Sequence, residues 1–353
     1  MTWMNYANWI IPIILILCIG GYYFGKKIQN IWNPKTTKTK IIYWLLIYLS
    51  TCFIFLGRNV LIGFIIYFII FQLCFDFLII ISKIIHKPKM TQIFKMKKIR
   101  DIPIIICCIL ITIYGAYNIN HPIIKKYDIK IEKKMNNPFT IGMISDLHLG
   151  INHQEELLDQ IVEHANSLNA NIFVFGGDIF DEYTTEEQKN MAIQKFGTIK
   201  TKDGIYYIEG NHDLLNEDTR KKLKDQNIQT LEDQAITIQK QINIIGRKDH
   251  RNNYLKKARK NLEEIVQEID TTYPTILLDH QPLDQKLAKN LHIDLQLSGH
   301  THAGQIFPAN FFLQYGYKKT GNFQIIVSSG YGVWGYPIRT AGRSEMIQVI
   351  LSN

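Results

Sequence analysis

No cysteine follows position 108 in this chain of 353 residues; all five (Cys18, Cys52, Cys74, Cys107 and Cys108) lie in the first third, inside apolar runs. The remaining two-thirds therefore hold neither a disulfide framework nor a thiolate metal site. The first nine residues carry no Lys or Arg and are followed by further apolar runs, which argues against a cleaved signal peptide. No internal repeat is present. The net charge of +9 comes largely from lysines beside the apolar runs, so it describes attraction to a lipid surface, and no nucleic-acid binding is expected.

What the first third does have is length without charge. Residues Asn8 to Phe24, Ile41 to Leu56, Val60 to Ile81 and Ile102 to Tyr117 are apolar runs, each close to the roughly 20 residues that cross a bilayer core. They are apolar all round rather than on one face, so four transmembrane helices are expected within residues 1–120. Lys26, Lys27, Lys35, Lys38 and Lys40 separate the first two runs, and Lys83, Lys87, Lys89, Lys95, Lys97, Lys98 and Arg100 separate the last two. Only Arg58 lies between the second and third. Basic loops stay cytoplasmic, which makes the protein a multi-pass cell-membrane protein with everything after the fourth helix extracytoplasmic. Lys125, Lys126, Lys130, Lys133 and Lys134 argue the other way. Asp76 is the one acidic residue inside a run, and the runs are expected to lack charged pairs, which weighs against a transporter.

From His121 to residue 353 the pattern becomes an alternation of short apolar and amphipathic segments. "FTIGMIS", "NIFVFGG", "GIYYIEG", "QINIIGR", "YPTILLDH", "IDLQLSG", "FQIIVSSG" and "EMIQVILS" are expected strands. "QEELLDQIVEHANSLN", "TRKKLKDQN" and "YLKKARKNLEEIVQEI" are expected helices. The succession predicts a layered α/β domain over 121–353. Polar residues collect where apolar runs stop, which is where α/β sheets gather their ligands.

Those residues form five motifs: "SDLHLG" with Asp146 and His148, "GGDIFDE" with Asp178 and Asp181, "GNHD" with Asn211, His212 and Asp213, "DHQP" with His280, and "GHTH" with His300 and His302. In extended backbone, residues i and i+2 point to the same side, so D-x-H and H-x-H each offer two donors to one ion. Oxygen and imidazole donors without thiolate suit Mn, Fe, Zn or Ni. Taken singly, His280 is a turn residue, Asn211 a turn former, Asp181 a helix N-cap and Asp213 a local turn carboxylate. Only their order makes them a set.

That order, over residues 139 to 304, resembles the calcineurin-like metallophosphoesterases. The resemblance implies a four-layer α/β/β/α sandwich holding two divalent metal ions, Mn2+ foremost. It implies that Asp146, His148 and His302 hold the first ion, that Asp178 bridges, and that Asn211, His280 and His300 complete the second. His212 is the implied catalytic histidine, oriented by Asp181. "GHTHAGQ" and "SSGYGVWGYPIR" resemble the membrane-associated bacterial branch, some of whose members are similar to hydrolases of UDP-2,3-diacylglucosamine. The implied function is hydrolysis of a phosphodiester or pyrophosphate bond by a metal-activated hydroxide, on a lipid-linked substrate at the bilayer. The alternatives are a broader phosphodiesterase or phosphomonoesterase acting on soluble or nucleotide substrates, and a non-catalytic metal-binding membrane sensor. Tyr331, Trp334, Tyr336, Arg339 and Arg343 either line a substrate pocket or pack structurally.

Overall fold

Runs rich in Ile, Leu and Phe make the first part of the chain helical and largely apolar. The computed structural model describes residues 18–29, 35–57, 59–151, 155–213, 215–250 and 259–353. Its helical unit contains α1 over 18–29, α2 (Thr37–Leu56), α3 (Ile62–Ile84), α4 (Pro88–Lys95) and α5 (Lys97–Asn120). Among the described residues, two helical stretches are long and apolar enough to cross a membrane, Ile62–Ile84 and Arg100–Asn120. Of the four expected crossings, two are matched by such stretches among the described residues. Much of the first run lies outside the described residues, and α2, over the second, opens with Lys38 and Lys40 in its first turn.

The expectation of helices without charged pairs is also corrected. α1 continues past its apolar run, so that Lys27 sits on the helix and donates to Asp76 at 2.7 Å, beside Tyr23 Oη at 2.8 Å. Arg100 Nε donates to Asp101 at 2.7 Å, and Gln72 Nε2 reaches the same carboxylate at 3.1 Å. Pairing removes most of the cost of charge in an apolar setting.

A second compact unit, Tyr117–Gly335 with Arg339–Asn353, is built on two six-stranded sheets. The first runs β1 (Ile123–Lys130), β12 (Glu345–Ser352), β2 (Phe139–Ile144), β3 (Ile172–Phe175), β4 (Ile205–Tyr207), β5 (Ile228–Thr230). The second runs β10 (Gly316–Thr320), β11 (Phe323–Val327), β9 (Leu295–Ser298), β8 (Thr275–Leu278), β7 (Ile242–Gly246), β6 (Gln234–Ile238). Strand alternation sorts their side chains into layers. Ile172 and Val174 join Ile244, Ile276 and Leu297 between the sheets. Phe173 and Phe175 face the other way, against α6 (Glu155–Ser167), α7 (Glu186–Phe196) and α8 (Glu217–Asp225). Ile245, Leu277 and Ile325 pack on α9 (Leu262–Val266) and α10 (Gln285–Asn290). The layers run α/β/β/α.

Two local expectations change. The long helix over "YLKKARKNLEEIVQEI" shrinks to α9; Arg259 to Asn261 precede it in extended or irregular backbone, and residues 251–258 lie outside the described residues. β1 is a strand where a charged flank was expected: Ile123, Lys125, Tyr127 and Ile129 share its covered face while Ile124, Lys126 and Asp128 face solvent, and Lys125 Nζ donates to Tyr315 Oη at 2.8 Å. Phe175 is fully buried, 4.6 Å from the Phe196 ring. Phe175→Ala is expected to cost about 3–5 kcal/mol, read as a lowered thermal midpoint of the purified full chain.

Candidate metal centre

Each of the five motifs follows the carboxyl end of a strand, and the loops that carry them are strained. Asp146 (φ 54°), His148 (φ 48°), Asp178 (φ 53°), His300 (φ 72°) and His302 (φ 50°) all sit in the left-handed region. For residues with a Cβ this costs roughly 1–3 kcal/mol each and persists only where surrounding packing dictates it. It also corrects the reason for the alternate spacing. The backbone of D-x-H and H-x-H is left-handed at the donors, not extended, and in the first motif Leu147 and Leu149 are fully buried beside them.

The donors converge in two groups. Asp146, His148 and His302 offer atoms that all lie within 4.8 Å of one another, and so do Asp178, His280 and His300. His148 Nε2 and His302 Nε2 are 3.2 Å apart, and His302 Nε2 is 3.5 Å from Asp146 Oδ1. Asp178 Oδ2 lies 3.0 Å from His280 Nε2 and 3.9 Å from His148 Nε2, so one carboxylate reaches both groups. Backbone N–H groups fix both carboxylates: His212 N donates to Asp178 Oδ1 at 2.7 Å and His300 N to Asp146 Oδ1 at 2.9 Å. Asn211 lies in the loop between Gly210 and His212, the residue whose N–H meets Asp178.

These residues fit divalent ions. Asp146 Oδ2 is buried with no hydrogen-bond partner, an arrangement that leaves a carboxylate lone pair for a cation. His280 Nδ1 meets the Gly176 carbonyl at 2.8 Å, which makes Nδ1 the donor and turns Nε2 toward the centre. Gly177, at φ 91°, keeps this contact open; a Cβ there would lie 2.5 Å from His280 Nδ1.

Electrostatics agree. Burial pushes the His148 imidazole down to about 4 and holds His302 well below its usual value, so both are neutral donors. Burial and the nearby Asp178 charge raise Asp146 to about 6, against the opposing pull of His280. Burial alone would raise Asp178, but the charge and hydrogen bond of His280 outweigh it and hold it below the carboxylate range. Asp178 in turn overcomes burial at His280 and holds it protonated. Without metal, that proton is the charge that balances Asp178.

Asp181, expected to orient His212, is engaged elsewhere. Asp181 accepts from Ile151 N, Tyr183 N and Thr184 Oγ1 and makes no contact with His212. It does not cap α7 either, because Thr185 does. His212 Nδ1 instead meets Glu182 Oε1 at 3.0 Å, and its ring lies 5.2 Å from that of His148. Glu182 stands in the quoted "GGDIFDE", one place after the residue that motif spacing selects. Asp213 proves to be a hub: its carboxylate accepts from the N–H groups of Asp178, Ile179, Phe180 and Gly210 and from Tyr207 Oη, at 2.6 to 3.0 Å. Of the C-terminal residues, Tyr331 and Arg339 are packing groups. Arg339 is fully buried, with Nη1 donating to Ser329 O at 2.6 Å and Nη2 lying 3.4 Å from His302 Nδ1. Trp334 is exposed at the rim, 6.3 Å from the His212 ring.

Comparison with known proteins decides the family. The pattern of the calcineurin-like phosphoesterases matches residues 139–304. An uncharacterized metallophosphoesterase of Campylobacter jejuni is 30% identical over 287 residues, covering 78% of this chain and 75% of its own length. The chain belongs to the calcineurin-like phosphoesterase family. An uncharacterized metallophosphoesterase of Helicobacter pylori is 33% identical over 64% of this chain, and the match spans 62% of that protein. A Bos taurus transmembrane protein with metallophosphoesterase domain is 31% identical over 61% of this chain and 53% of its own.

Two outcomes are expected. Asp213→Asn replaces a carboxylate that accepts five bonds with a group that has one acceptor oxygen, and Mn2+ affinity of the full chain should fall about 10- to 100-fold by titration calorimetry. Metal must displace the His280 proton at neutral pH, so uptake releases protons and apparent affinity rises with pH; below about 6 the Asp146 proton must also leave and the dependence steepens. Calorimetry in buffers of different ionisation enthalpy counts those protons, and zero release at pH 7 would contradict the assignment of His280.

Proposed function

We propose that this protein is a membrane-anchored dinuclear-metal phosphohydrolase that cleaves a phosphodiester or pyrophosphate bond on a lipid-linked substrate. The observation that carries the reading is the pair of three-donor groups joined through Asp178, with His212 beside them and outside both. Asp146, His148 and His302 are the proposed ligands of one ion; His280, His300 and Asn211 those of the other; Asp178 serves both. Divalent ions held there supply Lewis acidity toward phosphoryl oxygens and acidify a water molecule.

The remaining chemistry belongs to the chain. His212 donates a proton to the leaving oxygen, and Glu182 holds the imidazole by Nδ1. A sensor without turnover has no use for this pair, which supports the enzymatic reading. The lipid-linked substrate, multi-pass anchoring and extracytoplasmic position are supported by two apolar stretches, by the lysine asymmetry of the loops and by relatives named as transmembrane proteins. UDP-2,3-diacylglucosamine is the first candidate substrate, Mn2+ the first metal.

The test uses purified full chain, stripped of metal and reloaded with Mn2+, on bis-p-nitrophenyl phosphate, p-nitrophenyl phosphate and UDP-2,3-diacylglucosamine. Asp178→Asn is expected to abolish turnover. His212→Ala is expected to lower it about 10²- to 10⁴-fold on poor leaving groups and much less on nitrophenolate, with Glu182→Gln following the same leaving-group dependence. Equal loss on all leaving groups would contradict the proton-donor role, and no metal-dependent turnover on any of the three would contradict the reading.

A further inference from the structure

The loop that follows the last metal-ligand motif is apolar and turned outward. Gln305 grips Trp334 through both backbone groups, accepting from its N–H at 2.8 Å and donating to its carbonyl at 3.0 Å. The next residues rise from that anchor as "IFPANFFL". Phe311 is 72% exposed and Phe312 is 85% exposed, with Phe307 and Leu313 also on the surface. Nothing about the loop suggests an unfinished core. Phe307 N donates to Thr340 Oγ1 at 3.0 Å, Phe311 N to Pro308 O at 3.1 Å and Phe312 N to Ala309 O at 3.1 Å. Thr301 Oγ1 closes the far end on Gln314 O at 2.8 Å. These hydrogen bonds order the loop, which holds the aromatic rings in water.

An ordered apolar patch of this kind marks an interaction surface. Its chemistry and its tether indicate the occupant. Immediately after the loop comes β10, an edge strand of the second sheet, which presents Tyr317, Lys318 and Lys319 to solvent. Phenylalanine and leucine at a tip, with tyrosine and lysines behind, match the layering of a bilayer interface, where apolar groups enter the acyl boundary and amines meet lipid phosphates. The chain also ties this unit to an apolar helix. Arg100–Asn120 is long and apolar enough to cross a membrane, and β1 begins at Ile123, which leaves residues 121 and 122 as the connection, roughly 7 Å of extended chain.

We infer that the loop 306–313, backed by Lys318 and Lys319, docks on an anionic lipid leaflet and holds the mouth of the metal centre at the level of the phosphate headgroups. The inference rests on the membrane anchoring proposed above and not on the identity of the substrate. Trp334 connects the two sites: it lies at the rim beside His212 and is held by the residue from which the loop departs. Docking therefore presents the centre to phosphoesters carried by the leaflet.

The experiment uses the full chain in nanodiscs of phosphatidylcholine and phosphatidylglycerol. Phe312 is replaced by p-benzoylphenylalanine, with Phe311 as a second position if the first expresses poorly and Lys240, in the turn of the opposite β6–β7 edge, as the control. After irradiation the lipid adduct on each peptide is measured by mass spectrometry. Transfer of a single Phe side chain from water to an apolar phase shifts a partition by about tenfold or more, and the adduct at 312 is expected to exceed that at 240 by at least that factor. Equal yields at the two positions, or crosslinks from 312 to a second copy of the chain in place of lipid, would overturn the inference. Because the readout is the adduct alone, a chain that docks but does not turn over a lipid phosphoester contradicts the substrate reading and leaves docking standing.

Discussion

Two carboxylates buried side by side are the constraint on which the rest of this structure depends. Asp146 and Asp178 both reach His280 Nε2, at 3.9 and 3.0 Å, and neither is open to water. Ionised carboxylates removed from solvent are costly unless positive charge compensates them. Backbone N–H groups meet part of that demand and the His280 proton meets more, while Asp146 Oδ2 stays without a partner. Imidazoles kept neutral by burial complete a donor set whose remaining need is for cations.

Holding those donors requires backbone that the chain would not adopt by itself. Five of them sit at positive φ, and the strain is tolerated because each loop leaves a strand locked between two hydrophobic layers. Asp213 adds a second lock: by gathering the N–H groups around Asp178 and Gly210 it ties the "GGDIF" and "GNHD" loops to one carboxylate. A rigid sandwich supports strained loops, and strained loops place these donors within a few ångströms of one another.

Much of this was legible in the order of residues. The strands around the motifs stand out because they are short, apolar and end in Asp, Asn or His, and five motifs in sequence point to one site. The partner of His212 was not legible: "GGDIFDE" offers Asp181 and Glu182 side by side, and only the turn closed by Thr184 shows that Asp181 is engaged with backbone while Glu182 reaches the imidazole. β1 escaped notice because its lysines mask the alternation that β12 imposes by parallel pairing. Lys27 read as a loop residue until α1 was seen to extend through it to Asp76. In each case a long-range partner decides what local pattern leaves open.

Two ions bridged by one carboxylate form the central claim, and electron paramagnetic resonance tests it most directly. On adding two equivalents of Mn2+ to the metal-free full chain, the account predicts an exchange-coupled dimanganese spectrum that Asp178→Asn abolishes. Six-line signals of isolated Mn2+ at every loading, or a coupled spectrum that survives Asp178→Asn, would contradict it.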